Sequence, residues 1–103
     1  MTPRIAIDRK QVAEFCRRWR ITQLALFGSV LREDFRPQSD VDVLVSFEPE
    51  AHPSLADLLA MEEQLSAMLG HRVDLITRRS VEASENYIRR TAIIKSAEPI
   101  YAG

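Results

Sequence analysis

Two carboxylates at the head of an apolar strand are the residues of this chain whose types and spacing suggest chemistry. Asp40 and Asp42 flank a valine at the start of the segment VDVLVSF, residues 41–47. Because side chains alternate along a strand, the two carboxylates share one face while the valines take the other and can be buried. Like charges so close repel each other and raise each other's proton affinity. A divalent cation that prefers oxygen ligands, such as Mg²⁺, would offset this repulsion.

A third carboxylate has a similar setting. Asp74 lies between two apolar residues in the predicted strand RVDLIT, residues 72–77. A charge in the middle of a short apolar strand is uncommon without a partner. If this strand lies beside the previous one, Asp74 joins Asp40 and Asp42, and three carboxylates on adjacent strands can hold two metal ions about 4 Å apart. The alternative is a simple ion pair between Asp74 and the nearby Arg72.

A Gly-Ser pair directly follows an earlier predicted strand, ITQLALF, residues 21–27. Gly28 allows a ligand to approach the backbone closely. Ser29 offers a hydroxyl group, and the N–H groups at the start of a helical turn attract phosphate. Taken alone, a Gly-Ser pair is most often a turn, and an Asp at a strand start is most often exposed or a cap. Together with the carboxylates, the pair predicts metal-assisted phosphoryl or nucleotidyl transfer.

The other patterns predict the elements that hold these residues. A capping box at residues 8–11 opens a first helix that ends near Arg20, and a short turn or loop covers residues 29–34. A second helix opens at Ser54 and stops at Gly70, and a last helix covers about residues 84–97, ended by Pro99. The second and third strands can pair in parallel across their helical crossover, whereas the first link allows either sense. The predicted fold class is α/β (α+β), a small mixed β-sheet with flanking helices.

Composition limits the function classes. A chain of 103 residues suits a single domain, residues 1–103, and a net charge of −1 does not indicate direct binding to nucleic acid. The single cysteine, Cys16, excludes an internal disulfide and a cysteine-based zinc site. No apolar run has the length of a membrane span, and the N-terminus lacks a signal peptide, so we expect a cytoplasmic protein without a membrane partner. His52 and His71 have no companion at a ligand spacing and are interpreted as surface or capping residues.

The segment GSVLREDFRPQSDVDVLVSF, residues 28–47, resembles the signature of the polymerase-β-like nucleotidyltransferase superfamily: Gly-Ser, a spacer, then Asp-x-Asp heading a strand. The short length, Arg32, Ser39 before the Asp-x-Asp, and the late Asp74 resemble the minimal nucleotidyltransferase (MNT) domain antitoxins, which pair with HEPN-domain toxins. The resemblance covers nearly the whole chain. One departure is the run Leu31-Arg32-Glu33, where many relatives have Ala-Arg-Gly, and it bears on the shape of the phosphate loop.

The resemblance implies a polymerase-β-like core, a set of site residues and a reaction. The implied reaction is a two-metal transfer of AMP from ATP to a tyrosine hydroxyl of a partner HEPN toxin, with Mg²⁺ or alternatively Mn²⁺. The chain would then be the antitoxin of a type VII-like toxin–antitoxin module and would form a hetero-oligomer with its toxin. The implied nucleotide-binding residues are Gly28, Ser29, Arg32 and Ser39, and the implied catalytic and metal-binding residues are Asp40, Asp42 and Asp74.

Two other functions remain open. In one, the antitoxin neutralises its toxin by binding alone, and the nucleotide site is a relic. In the other, the chain is a nucleotidyltransferase that acts on a small molecule. The lack of a second substrate-binding domain weighs against the latter, unless an oligomer supplies the missing walls.

Overall fold

The computed structural model of the chain describes residues 7–31, 35–36 and 38–102. Four strands, four α-helices and one 3₁₀ helix follow one another in this described part of the chain. In chain order they are α1 (Arg9–Trp19), β1 (Ile21–Phe27), the 3₁₀ helix Gly28–Leu31, β2 (Val41–Phe47), α2 (Leu55–Leu69), β3 (Val73–Thr77), α3 (Arg78–Glu82), α4 (Tyr87–Ser96) and β4 (Glu98–Ala102).

The strands form one mixed sheet in the order β3-β2-β1-β4. The central pair, β1 and β2, is antiparallel, and β4 also runs antiparallel to β1. The pair β2 and β3 is parallel, which confirms the sense expected from the helical crossover between them. The predicted fold class, a small mixed sheet with flanking helices, is confirmed.

Each face of the sheet has its own apolar cluster. Val41, Val43 and Val45 of β2 are fully buried on the face that α1 and α2 cover. The opposite face carries a smaller cluster, in which Leu44 packs with buried residues of β1, α3 and α4. Strand alternation assigns Asp42 to the second face, because it lies between two valines of the first. The larger core therefore anchors β2 and leaves its carboxylate on the thinly covered side.

Local signals fix where the helices begin and end. Asp8 caps α1 by accepting hydrogen bonds from the N–H groups of Lys10 and Gln11. Ser54 and Asp57 form a reciprocal capping box at the start of α2. Gly70 ends that helix with φ +70°, a left-handed conformation that suits glycine. The predicted bounds of α2 are therefore confirmed.

The prediction for the C-terminal segment was wrong in part. The helix expected over about 84–97 is present as the shorter α4, whereas α3, which starts directly after β3, was not predicted. Pro99 does more than end a helix, because it lies within β4 and pairs with Ala25 of β1. β4 lies at the edge of the sheet, where proline is tolerated because one side of the strand needs no partner.

Two smaller outcomes concern the same sequence expectations. β3 begins at Val73 and not at residue 72, and the turn after β1 is a 3₁₀ helix that ends at Leu31. The rest of the expected turn, residues 32–34, lies outside the described residues. In the part of the chain that the structure describes, no helix is long and apolar enough to cross a membrane.

Candidate active site

The parallel ladder between β2 and β3 sets two of the three candidate carboxylates side by side. Asp42 is the register partner of Asp74, and on its other side Asp42 is paired with Phe27, the last residue of β1. Partners in a ladder point to the same face, and neighbouring strands lie about 4.8 Å apart. Asp42 is half-buried, whereas Asp74 is exposed. The two carboxylates therefore share one face, at the end of the sheet where β2 and β3 begin.

Asp40 precedes β2 by one residue and is exposed. The N–H group of Val41 donates a 2.8 Å hydrogen bond to the carbonyl group of Arg72, so the parallel ladder begins at the first residue of β2. Strand alternation, continued by one residue, gives Asp40 the face of Asp42. The backbone thus brings the three positions to one end and one face of the sheet.

Gly28 completes this end of the sheet from the neighbouring strand. It follows β1, has φ +78°, and opens the 3₁₀ helix. A Cβ atom at Gly28 would meet the carboxylate of Asp42, and its distance to Cγ of Asp42 would be 3.3 Å. Glycine is needed here for two reasons, since the positive φ and the approaching carboxylate both exclude a larger residue. The sequence suggested that Gly28 makes room for a ligand, but it did not indicate that Asp42 is what lies against it.

The side chains do not complete a metal-binding cluster among residues 7–31, 35–36 and 38–102. No group of three His, Cys, Asp or Glu side chains in this part of the chain could hold a metal ion. The donors at the three aligned positions are all carboxylate oxygens, which fit Mg²⁺ better than a softer metal. The metal-binding role of Asp40, Asp42 and Asp74 therefore stays a prediction.

Asp74 does not form the ion pair with Arg72 that was the structural alternative to a metal-binding role. Asp74 and Arg72 are both described and both exposed, and no ion pair joins them. The position of an exposed carboxylate at Asp74 is therefore not explained by an ion pair with Arg72.

The proposed nucleotide-binding residues are described only in part. The hydroxyl group of Ser39 accepts a 3.1 Å hydrogen bond from the N–H group of Arg36, and the N–H group of Ser39 donates to the carbonyl group of Arg36 at 2.9 Å. Ser39 therefore closes the turn just before Asp40. Arg32 and the side chain of Ser29 lie outside the described residues. The nucleotide-binding roles of these residues stay predictions.

The two histidines differ in environment. His52 is exposed, as expected for a surface residue. His71 is half-buried, and its ring lies 5.2 Å from the ring of Phe35. Its Nδ1 atom is buried and has no hydrogen-bond partner among the described residues. His71 therefore packs against the segment that leads to Asp40.

Comparison with known proteins identifies the family. The model of the family described as "Nucleotidyltransferase domain" matches residues 8–97. The chain belongs to this family. The matched range contains Gly28, Ser29, Asp40, Asp42 and Asp74, and the match confirms the resemblance to nucleotidyltransferases inferred from the sequence.

Individual relatives show which members of the family this chain is similar to. The domain is 40% identical to the protein adenylyltransferase MntA of Thermococcus cleftensis over 79 residues, which cover 77% of this chain and 75% of that one. It is 38% identical to the putative protein adenylyltransferase MJ1379 of Methanocaldococcus jannaschii over 64 residues, or 62% of this chain. That alignment spans 64% of the relative's length.

Solved structures show the same fold. A putative minimal nucleotidyltransferase superposes with a TM-score of 0.68 at 32% identity, over 88% of this chain and 87% of that one. A toxin–antitoxin complex with AMP-PNP contains a chain that superposes with a TM-score of 0.71 at 16% identity, over 94% of this chain and 75% of that one. At that identity the second likeness concerns the fold alone.

Proposed function

We propose that this chain is a metal-dependent protein adenylyltransferase that transfers AMP from ATP to a tyrosine hydroxyl of a HEPN-domain toxin, and that it acts as the antitoxin of the pair. The observation that carries the proposal is the register of Asp42 with Asp74 at the end of the sheet that Gly28 closes. Two carboxylates held at a fixed separation on rigid strands suit phosphoryl-transfer chemistry better than a structural role.

The relatives support the choice of a protein as acceptor. The relatives from Thermococcus and Methanocaldococcus are both named protein adenylyltransferases or putative ones. One structural neighbour is a chain of the complex between the tri-AMPylated HEPN toxin of Shewanella oneidensis and its MNT antitoxin, with a TM-score of 0.62 at 16% identity. A HEPN toxin as partner and ATP as donor follow from these names and from the MNT resemblance of the sequence.

Each site residue has a role in the proposed reaction. Asp40, Asp42 and Asp74 would hold Mg²⁺, which supplies positive charge for the triphosphate and lowers the pKa of the attacking hydroxyl group. Mn²⁺ is the alternative ion. The phosphates would lie against the backbone of Gly28, and Ser29, Arg32 and Ser39 would supply polar groups that bind them. Gly28 is suited to this position because it has no side chain between the backbone and Asp42.

The chemical step is an in-line displacement. The tyrosine oxygen of the toxin attacks the α-phosphorus of ATP, the bond from that phosphorus to the bridging oxygen breaks, and pyrophosphate leaves. The hydroxyl proton passes to Asp74, which is exposed and accessible to an acceptor. A base is needed because a tyrosine has a pKa near 10 and is largely protonated at neutral pH.

The test is intact mass spectrometry of the HEPN toxin encoded beside this chain, after incubation with ATP, Mg²⁺ and the antitoxin. We expect the native chain to add one or more AMP units to the toxin, and Asp42→Asn to add none. Glu63→Gln is the matched control, because it removes one exposed carboxylate on α2, on the opposite face of the sheet. No mass gain with the native chain would overturn the proposal.

The same samples separate the two forms of antitoxin. If the toxin stays unmodified but its activity is blocked in a stable complex with both native and Asp42→Asn chains, the antitoxin acts by binding. The observation that favours this second candidate is that no three carboxylates gather into a metal-binding group in the described part of the chain.

A further inference from the structure

A cleft lies at the end of the sheet opposite the candidate active site. β2 leaves the sheet through residues 48–54 into α2, which covers one face, whereas β3 passes directly into α3, which covers the other. Strands whose connections diverge to opposite faces leave a crevice beyond their carboxyl ends, and open α/β sheets commonly bind ligands there. A cavity of about 410 Å³ occupies this crevice. That volume lies within the roughly 300–1,000 Å³ of small-molecule sites.

The cavity is separate from the carboxylates. Its strand residues include Val45 and Thr77, which are register partners, and none of the three candidate carboxylates lines it. Val45 lies three residues beyond Asp42 on the same strand, which corresponds to about 10 Å. A ligand in this crevice would therefore leave the candidate active site accessible.

The charged groups around the cavity favour an anion. Two glutamates line it, but each already has a cationic partner: Glu48 lies 2.7 Å from Nε of Arg20, and Glu82 lies 3.8 Å from Nε of Arg78. Arg79 also lines the cavity, is exposed, and makes no ion pair with any described residue. One guanidinium group therefore remains without a carboxylate partner at the cavity.

The rest of the lining supplies a polar rim and an apolar wall. The imidazole of His52 adds a further nitrogen donor, and it is exposed at the cavity. Phe47 and Leu58 are half-buried and pack on the larger core. Pro49 and Pro53 restrict the loop between them, because each ring fixes one backbone angle. An apolar wall beside a few directed polar groups is typical of small-molecule sites.

We propose that this crevice is a second ligand site, for a small organic anion. A single phosphate or carboxylate group would bind Arg79 and His52, and an apolar or aromatic body would pack against Phe47 and Leu58. Charge-assisted hydrogen bonds from a guanidinium group are among the stronger polar contacts, and they suit both anions. The proposal is independent of the adenylyltransferase function, because it uses none of the residues of that site.

The experiment is a titration of the ¹⁵N-labelled full chain, without added metal, followed by the backbone amide resonances. The probes are AMP, benzoate and inorganic phosphate. AMP and benzoate distinguish a phosphate from a carboxylate, and inorganic phosphate tests the need for an apolar body. We expect saturable shifts at Ser46, Ala51 and Thr77 with at least one of the two organic anions, weaker shifts with inorganic phosphate, and no shifts at Gly28 or Asp74 with benzoate.

Two variants test whether Arg79 and His52 bind the anion. Arg79→Gln is expected to weaken binding about tenfold, as for loss of one charged hydrogen bond. Arg17→Gln is the control with the same charge change, because Arg17 is exposed on α1 and does not line the cavity. His52→Glu, at an exposed loop position, should also weaken binding, and it provides a second test if Arg79→Gln is poorly folded.

Three results would overturn the second site. The first is an absence of saturable shifts at the crevice with both organic anions. The second is shifts at Gly28 and Asp74 alone, which would place the anion at the candidate active site. The third is equal weakening by Arg79→Gln and Arg17→Gln, which would mean that only overall charge attracts the anion.

Discussion

The carboxylate of Asp42 fills the space that a side chain on Gly28 would need. A Cβ atom built on Gly28 would collide with an oxygen of that carboxylate. Gly28 directly follows Phe27, the last residue of β1, and Phe27 is the register partner of Asp42 on the neighbouring antiparallel strand β2. Gly28, where the proposed phosphate-binding turn begins, and the carboxylate of Asp42 are therefore neighbours in space.

Gly28→Ala is expected to abolish AMP transfer and to destabilise the fold. The positive φ costs about 1–2 kcal/mol for a residue with a Cβ atom, and the collision displaces the carboxylate of Asp42. Chemical denaturation would give the stability change, and the mass gain of the toxin would give the activity.

Gly70→Ala is the matched control for that variant. Gly70 has a similar φ of +70°, but a Cβ atom there meets nothing within 4 Å. We expect about the same conformational cost with transfer retained. If both variants lost transfer equally, the contact between Gly28 and Asp42 would not be what matters.

Asp74→Asn is expected to slow AMP transfer at least about 100-fold, because it removes the proposed base and one proposed metal ligand. Asp74 is exposed, so the free energy of unfolding should change by less than about 0.5 kcal/mol. Rates of toxin modification and urea unfolding curves would measure the two effects. A variant with normal transfer would exclude Asp74 from the catalytic set, whatever its stability.

Cys16 is expected to make stability depend on pH in alkali. Burial raises the pKa of its thiol from 9.0 to about 12, and the nearby Arg17 opposes that rise in part. Because the folded chain holds the proton more tightly than the unfolded chain, this stabilisation is full below pH 9 and is lost as the pH rises toward 12. Between pH 9 and 10.5, the native chain should lose about 1–2 kcal/mol more than Cys16→Ala does. Equal slopes for the two chains would contradict the prediction.

Met61→Ala is expected to destabilise the fold by about 2–5 kcal/mol, because Met61 is fully buried in the larger core and truncation leaves a cavity. Leu55→Ala, on the same helix, is the control, because Leu55 is 73% exposed. Its cost should stay below about 1 kcal/mol. Thermal melts of both variants would measure the difference, and similar costs would mean that α2 does not pack on the sheet through this face.

The candidate site could be predicted only in part. The residue types, the shared face of Asp40 and Asp42, and the parallel β2–β3 pair follow from patterns within a few residues and from the length of one crossover. The contact between Gly28 and Asp42 does not, because nothing near Gly28 in the sequence indicates which side chain of another strand will lie against it. The side chain of Ser29 and all of Arg32 lie outside the described residues, so their roles stay predictions.

The sequence by itself determined β1, β2 and α2, whose bounds follow from alternation, helical spacing and the Ser54 and Gly70 caps. The tertiary structure decided the antiparallel sense of β1 and β2, the pairing of Asp42 with Asp74, and the existence of β4. The physical reason is the separation along the chain over which each kind of interaction acts. Alternation and capping act between residues close in the chain, whereas β4 is a strand only because its backbone pairs with β1, more than 70 residues earlier. No local signal in a segment that contains Pro99 favours that pairing.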